Sequence, residues 1–439
     1  MKTLFSRLFE QANYQTHTVR MTKHKPFDQN LQPLTFFATK ACQEVLLQLG
    51  NYEKYHVVRK RRRKKVDQAI FEQTVYCIVS NLILSRMDNP EGGVRITRSH
   101  TKLGKGDRYR TAVLGKTFPY VVDLMANNSM WFITQDKAES SLEFDRKQSV
   151  IFPTERIDDS IAEWDLTNAD FGQGEYPEII ILKGFAEGGN KKAHYWDKKG
   201  YLQYEDTAQT NRMRLELQQL NNWLIQMDIG FESDYTTNIH NRRLRRVFTR
   251  GSFDSGGRLF GGFWLDIPKK VRNEGLRLNG EAICTLDYSN LSALVLYGIA
   301  GKTLPDGDNY KIAQFVGHRE GVKTIFNCMT FTDGPLSRFP HNTKKLFERS
   351  DRIGDVTKAI LKYHHPIANL LNSQIGHQIQ KVESDIIVSC MLSCMQEGIP
   401  SLPVHDALIV PITSKKTVRG IMQTAFKEEV GLSSMVEED

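Results

Sequence analysis

An α+β fold is the expectation from three features of this sequence. Thr207–Gly230 repeats apolar residues with the 3.6-residue period of an amphipathic helix and stops at a glycine. SLPVHDALIVPI (401–412) places two β-prone runs on either side of His405-Asp406, the pattern of a tight antiparallel hairpin. In EAICTLDYSNLSALVLYGIAG, the apolar Ile283–Leu286 reads as a short buried strand and Leu291–Ala300 as the helix after it.

Ahead of these, the chain up to about Asn89 shows helical spacing. A Gly/Arg/Lys-rich stretch follows (Gly92 to Lys116), and then FPYVVDLM and MWFIT, each a strand or a buried helix. Residues 136–178 are polar and turn-rich, and YPEIIILKGF reads as a strand. No internal repeat or low-complexity tract is visible.

A chain of 439 residues has room for two or three domains. With 40% hydrophobic and 25% charged residues it has the balance of a globular protein. No run of 18 apolar residues occurs, so no membrane partner is expected, and the first residues lack the apolar core of a secretory signal. The six cysteines form no C-x-x-C pair, which argues against structural zinc and for a reduced, cytoplasmic setting.

Charge is uneven. Residues 1–120 carry 22 Lys/Arg against 9 Asp/Glu, and residues 241–280 carry 10 against 3, although the whole chain is only +8. Two basic zones on an otherwise acidic chain point to a polyanion as partner. The run Arg59, Lys60, Arg61, Arg62, Arg63, Lys64, Lys65 has three readings: a phosphate-binding arm, a nuclear-import signal, or a solvated face.

Asp287 closes the strand 283–286. There it is either a metal carboxylate fixed by the strand or the N-cap of the next helix. Asp406, at the tip of the expected hairpin, is either a second such carboxylate or a turn residue. Two aspartates on neighbouring strands can bind two divalent cations about 4 Å apart, the arrangement for in-line phosphoryl or nucleotidyl transfer. Between them, in GHREGVKTIFNCMTF, Arg319, Lys323, Asn327 and Phe331 fall four apart on one helical stripe, with Val322, Ile325, Phe326 and Met329 opposite. Arg and Lys one turn apart, ahead of an aromatic, suit a triphosphate with a base beyond it. An ordinary amphipathic surface helix has the same pattern.

In this order the segments resemble the family A polymerase superfamily, which includes bacterial DNA polymerase I and the phage-type single-subunit RNA polymerases. Asp287-Tyr288-Ser289 is similar to motif A, Arg319-x3-Lys323-x7-Phe331 to motif B, and Val404-His405-Asp406 to motif C. Gln380 and Asp385 match the helix before motif C, and GGRLFGGFWLDIP, with Arg258, loosely resembles the segment upstream of motif A that touches primer and template. The likeness covers roughly residues 240–430; residues 1–235 match nothing comparable.

The resemblance implies a right-hand polymerase core: an antiparallel palm sheet from 236–300 and 376–439, helical fingers at 301–375, and a basic N-terminal region (1–235) supplying clamp and thumb. It implies template-directed nucleotidyl transfer with two Mg²⁺ ions, Mn²⁺ being the substitute. Asp287 and Asp406 would be the metal ligands, and Lys323 would join them as a catalytic group. Arg319, Lys323, Asn327, Phe331, Ser292 and Tyr288 would face the nucleoside triphosphate. Arg258, Gln380, His405 and the run Arg59–Lys65 would face template and primer. A catalytically inactive DNA-binding replication initiator and a two-metal nuclease are the alternatives.

Four positions depart from the family pattern. Ala407 replaces the glutamate that follows the motif C aspartate in DNA polymerase I. Ser292, five residues after Asp287, stands where the DNA polymerases carry a glutamate against the ribose 2′-hydroxyl. Phe331 replaces a tyrosine, and Asn327 an aromatic or methionine. The steric gate against ribonucleotides is thus missing, and so is the hydroxyl that favours them.

Overall fold

The computed structural model describes residues 24–56, 58, 61–104, 106–137, 148–184, 200–235, 237–305 and 307–438. Arg59 and Lys60 lie outside the described residues. The fold is α+β, and the described residues form two compact units, one within 24–178 and 237–243, the other within 179–235 and 244–438. The division falls after residue 178. Among the described residues no helix is long and apolar enough to cross a membrane.

In the first unit, helix α1 (Phe36–Tyr55) packs on α2 (Lys65–Asp88), and α2 packs on a four-stranded sheet. Its order is β1 (His24–Pro26), β3 (Gly93–Ile96), β5 (Ser149–Pro153), β4 (Ile133–Asp136); β2 (Leu31–Pro33) pairs separately with β6 (Phe171–Gln173). Thr35 caps α1 by accepting from the Ala38 amide. Ala38, Ala41, Cys42, Val45 and Leu49 then recur every three or four residues and are buried against Phe71, Val75, Ile78 and Leu82 of α2. FPYVVDLM forms helix α3 (Thr117–Met125), and MWFIT leads into β4. The polar stretch after residue 136 is more regular than its composition suggests, since β5, helix α4 (Glu155–Glu163) and β6 all arise from it.

Charge is used structurally in this unit. Arg63 pairs with Glu53, with its nitrogens 2.5 and 2.6 Å from the two carboxylate oxygens, and both side chains are under a tenth exposed. The Arg63 guanidinium lies 3.6 Å from the Phe71 ring centroid, and Tyr120 donates to the same carboxylate. Arg63 therefore faces the core and not solvent, while Arg61, Arg62, Lys64 and Lys65 are exposed.

The second unit holds the motifs. Strands β7 (Ile180–Leu182), β9 (Arg245–Thr249) and β10 (Ser252–Phe260) form one sheet. The expected helix runs as α5 (Ala208–Gln226) and ends before Gly230, which belongs to β8 (Ile229–Phe231). A larger sheet has the order β13 (Leu402–Val404), β14 (Ala407–Pro411), β12 (Glu281–Tyr288), β11 (Leu276–Leu278), β8, with β15 (Val436–Glu438) also on β12; all its pairings are antiparallel. Helices α6 (Lys269–Gly275) and α7 (Leu291–Ile299) flank β11 and β12 in sequence. Helices α8 (Arg319–Phe331) and α9 (Ile353–Tyr363) follow, and α8 also packs on the long α10 (Gly376–Gln396). That helix lies along β10, and α11 (Lys415–Val430) packs beside it.

Candidate active site

Strand β12 is twice as long as its apolar run suggested, because Glu281 and Ala282 before it and Asp287 and Tyr288 after it continue the ladder. Asp287 stands opposite Ala407 of β14 and Glu437 of β15. The chain then turns through Asn290, at φ +59°, directly into α7. Asparagine tolerates that left-handed conformation better than most residues, so strand can pass into helix within two residues. Asp287 is left half-buried at the strand end.

The hairpin forms as the sequence indicates. Val404 pairs with Ala407, and His405-Asp406 is the two-residue turn. His405 has φ +58°. Two-residue hairpins need positive φ at their first central position, and a side chain accepts it at a cost of roughly 1–3 kcal/mol. The base of the hairpin is anchored: the fully buried Trp264 donates its indole N–H to the Pro403 carbonyl at 3.0 Å, and Arg272 donates to the Trp264 carbonyl at 3.2 Å.

Because Asp287 faces Ala407, Asp406 lies one residue along the adjoining strand, and adjacent strands run about 4.8 Å apart. The register thus brings Asp287 and the Asp406 turn to the same end of the sheet. Among the described residues no group of three or more His, Cys, Asp or Glu side chains is placed to hold a metal. Asp287 and Asp406 would offer a metal hard oxygen ligands. That suits Mg²⁺, which binds through one or two carboxylates, keeps several waters and shares substrate phosphates.

Behind the turn lies a charged cluster. Arg258 Nη2 donates to Glu383 Oε2 of α10 at 2.8 Å, in a pair with side chains 14% and 6% exposed. Glu383 is pushed up to about 7, chiefly by burial and further by Asp406, with Arg258 opposing. Burial works against the charge of Arg258, but the carboxylates of Glu383 and Asp406 outweigh it and raise its pKa. His405 keeps an exposed face, yet the protein packed around its ring, then Arg258 and Arg272, lower it to about 4.

Two glycines aim Arg258. Gly256 and Gly257, at φ +82° and +80°, form an irregularity in β10 where its register against β9 shifts. A β-carbon at Gly257 would come within 2.9 Å of the Phe248 ring. The Gly257 carbonyl accepts from Arg246 Nε at 2.9 Å and from the Ser384 hydroxyl. Arg246 also pairs with Asp385, which Lys381 shares. Asp385 is therefore engaged in fixing α10 to β9, while Gln380 lies half-buried one turn before Glu383.

Helix α8 has the two stripes expected of it. Val322, Ile325, Phe326 and Met329 are wholly buried. Arg319 pairs with Asp308 and, at 2.8 Å, with Glu320. Lys323 makes no ion pair among the described residues, and its ammonium lies 5.8 Å from the buried Tyr310 ring. Asn327 is buried, and its Oδ1 has no partner among the described residues. The Phe331 ring packs on Gly376 and meets His377 edge-on with centroids 5.3 Å apart. Ser292 is half-buried in the first turn of α7.

Tyr288 was expected at the nucleotide, but the structure places it in the core. Its hydroxyl donates to the Met422 carbonyl at 2.7 Å, and burial raises its pKa far above the usual range. Glu383 is the residue that the sequence reading missed. It signalled itself as an acid within a buried stripe, between Ile379 and Ile386. The run at 61–65 belongs to the other unit.

No protein-family model matches the chain, and no curated protein does. Among solved structures it is similar to the POL domain of Pol1 from M. smegmatis, in complex with DNA primer-template and dNTP, at 13% identity and a TM-score of 0.26. The match covers 53% of this chain and 51% of that one, so the chain spans about half the length of the structure it matches.

Proposed function

We propose that this chain is a template-directed nucleotidyltransferase with a family A-like polymerase core. The observation that carries the reading is the register that pairs Asp287 with Ala407, the residue after Asp406, at a hairpin turn whose His405 is held in a left-handed conformation. The sheet of β8 and β11–β15 is read as the palm, and α8 and α9 as the fingers. Thumb and clamp fall to residues ahead of 236.

Asp287 and Asp406 are read as ligands for two divalent cations, which when bound lower the pKa of an attacking 3′-hydroxyl and screen the triphosphate. Lys323, with no carboxylate on it among the described residues, is the group to bind a terminal phosphate and give its proton to the leaving pyrophosphate. Arg319 would exchange Asp308 for phosphate oxygens, since a guanidinium pairs with either. His405 stays neutral near pH 7, so it meets the primer terminus as a hydrogen-bonding group without adding charge. Arg258 approaches primer and template from β10.

The test is extension of a labelled primer on a template with Mg²⁺, in parallel arms with dNTPs, with rNTPs and without primer. Lengthening supports the reading. Shortening makes the protein a two-metal nuclease. Template binding with neither makes it an inactive initiator.

A further inference from the structure

Glu383 has no counterpart in the set of groups that the proposed reaction requires, yet it is the most deeply buried acid near the hairpin turn. Its carboxylate lies on α10, 2.8 Å from an Arg258 nitrogen, with both side chains largely out of water. Asp406 acts electrostatically on both partners, so one guanidinium lies within the field of two carboxylates. Arg258 has little freedom to leave. The Gly256–Gly257 irregularity aims it, and Arg246 and Ser384 hold the Gly257 carbonyl.

A cation beside a metal carboxylate is a competitor for it. Arg258 bonded to Asp406 would occupy the oxygens that a divalent ion needs, and its charge would repel the ion. A second carboxylate on the far side of the guanidinium removes that competition. Buried charges hold strongly to the one partner that geometry gives them, because leaving an ion unpaired costs several kcal/mol.

We propose that Glu383 is a positioning residue for the metal site: it holds the Arg258 guanidinium in a buried ion pair and thereby keeps the Asp406 carboxylate open to a divalent cation. This rests on the reading of Asp406 as a metal ligand.

The test is Mn²⁺ binding by the full chain, followed by the loss of the free-ion paramagnetic resonance signal, for wild type and for Glu383→Gln, Arg258→Gln, the double variant and Asp406→Asn. Glu383→Gln should weaken Mn²⁺ binding about tenfold, or 1.4 kcal/mol. Arg258→Gln should bind at least as tightly as wild type, and the double variant should recover wild-type affinity, a rescue that mere structural damage would not give. Equal binding by wild type and Glu383→Gln overturns the proposal, and so does weaker binding by Arg258→Gln. If Glu383→Gln does not fold, as judged by its melting curve, the double variant carries the test, since it buries no unpaired charge: weaker Mn²⁺ binding by it than by wild type overturns the proposal. Wild type binding no better than Asp406→Asn overturns the metal assignment itself and this proposal with it. Binding lost in Asp406→Asn but unchanged in Glu383→Gln leaves that assignment standing and rejects the role of Glu383 alone.

Discussion

Asp287 lies directly across the antiparallel ladder from Ala407, and this single register fixes where Asp406 falls. A slip of one residue would put the Asp287 side chain on the other face of the sheet. Asp287→Asn and Asp406→Asn should therefore each abolish extension, by at least ~10³-fold, because one charged metal ligand is lost at the transition state. Template affinity, measured by fluorescence anisotropy, should change less than about threefold. Either variant keeping a tenth of wild-type extension would remove that aspartate from the site.

The basic run should split in two. Arg63 is tied to Glu53 in the core, so Arg63→Gln leaves a buried carboxylate without its cation and should cost about 3 kcal/mol or more in unfolding free energy. Replacing the exposed Arg61, Arg62, Lys64 and Lys65 by glutamine should leave the melting temperature almost unchanged. If the run contacts template, each lost phosphate contact lowers the log–log salt slope of binding by roughly 0.7 on single strands and 0.9 on duplex. An unchanged slope makes it a solvated face or a targeting signal.

His364 gives a pH dependence. It is fully buried; Tyr297 stands 3.1 Å from Nδ1 and the Asn309 carbonyl 2.9 Å from Nε2, with Tyr363 against the ring. Burial lowers it from 6.5 to about 4. The folded state therefore binds fewer protons than the unfolded chain between those values. Stability from this residue is complete above pH 6.5 and is lost as pH falls towards 4, by about 3 kcal/mol at most. Urea unfolding of wild type and His364→Gln at pH 4, 5, 6 and 7 checks it. The variant's curve should be flatter over that interval, and parallel curves would show that another group sets the slope.

The parts that were legible in the sequence are those where local pattern and tertiary role coincide. The hairpin at His405-Asp406 and the apolar stripe of α8 were readable because a turn dipeptide and a 3.6-residue period each determine geometry over short range. Tyr288 was not readable: whether an aromatic after a strand-end aspartate faces solvent or core depends on α11, more than a hundred residues later, whose Met422 carbonyl takes its hydroxyl. Arg63 was hidden for a similar reason. A run of seven basic residues looks uniform until Glu53, ten residues earlier on α1, selects one of them. Glu383 was visible as an acid in an apolar stripe, but its partner Arg258 is 125 residues away on a strand whose direction depends on two positive-φ glycines.

Sugar selection is the last prediction. Ser292 is half-buried on the first turn of α7; on the proposed reading it leaves space where a glutamate would meet a 2′-hydroxyl. Ribonucleotides should then enter within about tenfold of deoxynucleotides, under ~1.4 kcal/mol of discrimination. Ser292→Glu should shift the ratio towards dNTPs. Phe331→Tyr should shift it towards rNTPs by roughly 1 kcal/mol, through one added hydroxyl. The position of the ring itself needs a separate control, which Gly376 supplies: a β-carbon there would fall 2.7 Å from the Phe331 ring. Gly376→Ala should displace the ring and lower insertion efficiency for both sugars alike, leaving their ratio unchanged. Single-nucleotide insertion with each sugar, on wild type and the three variants, distinguishes these effects. Wild type rejecting ribonucleotides a thousandfold would mean that a residue other than Ser292 is the gate. A changed ratio in Gly376→Ala would mean that the place of the ring, and not its missing hydroxyl, sets the preference.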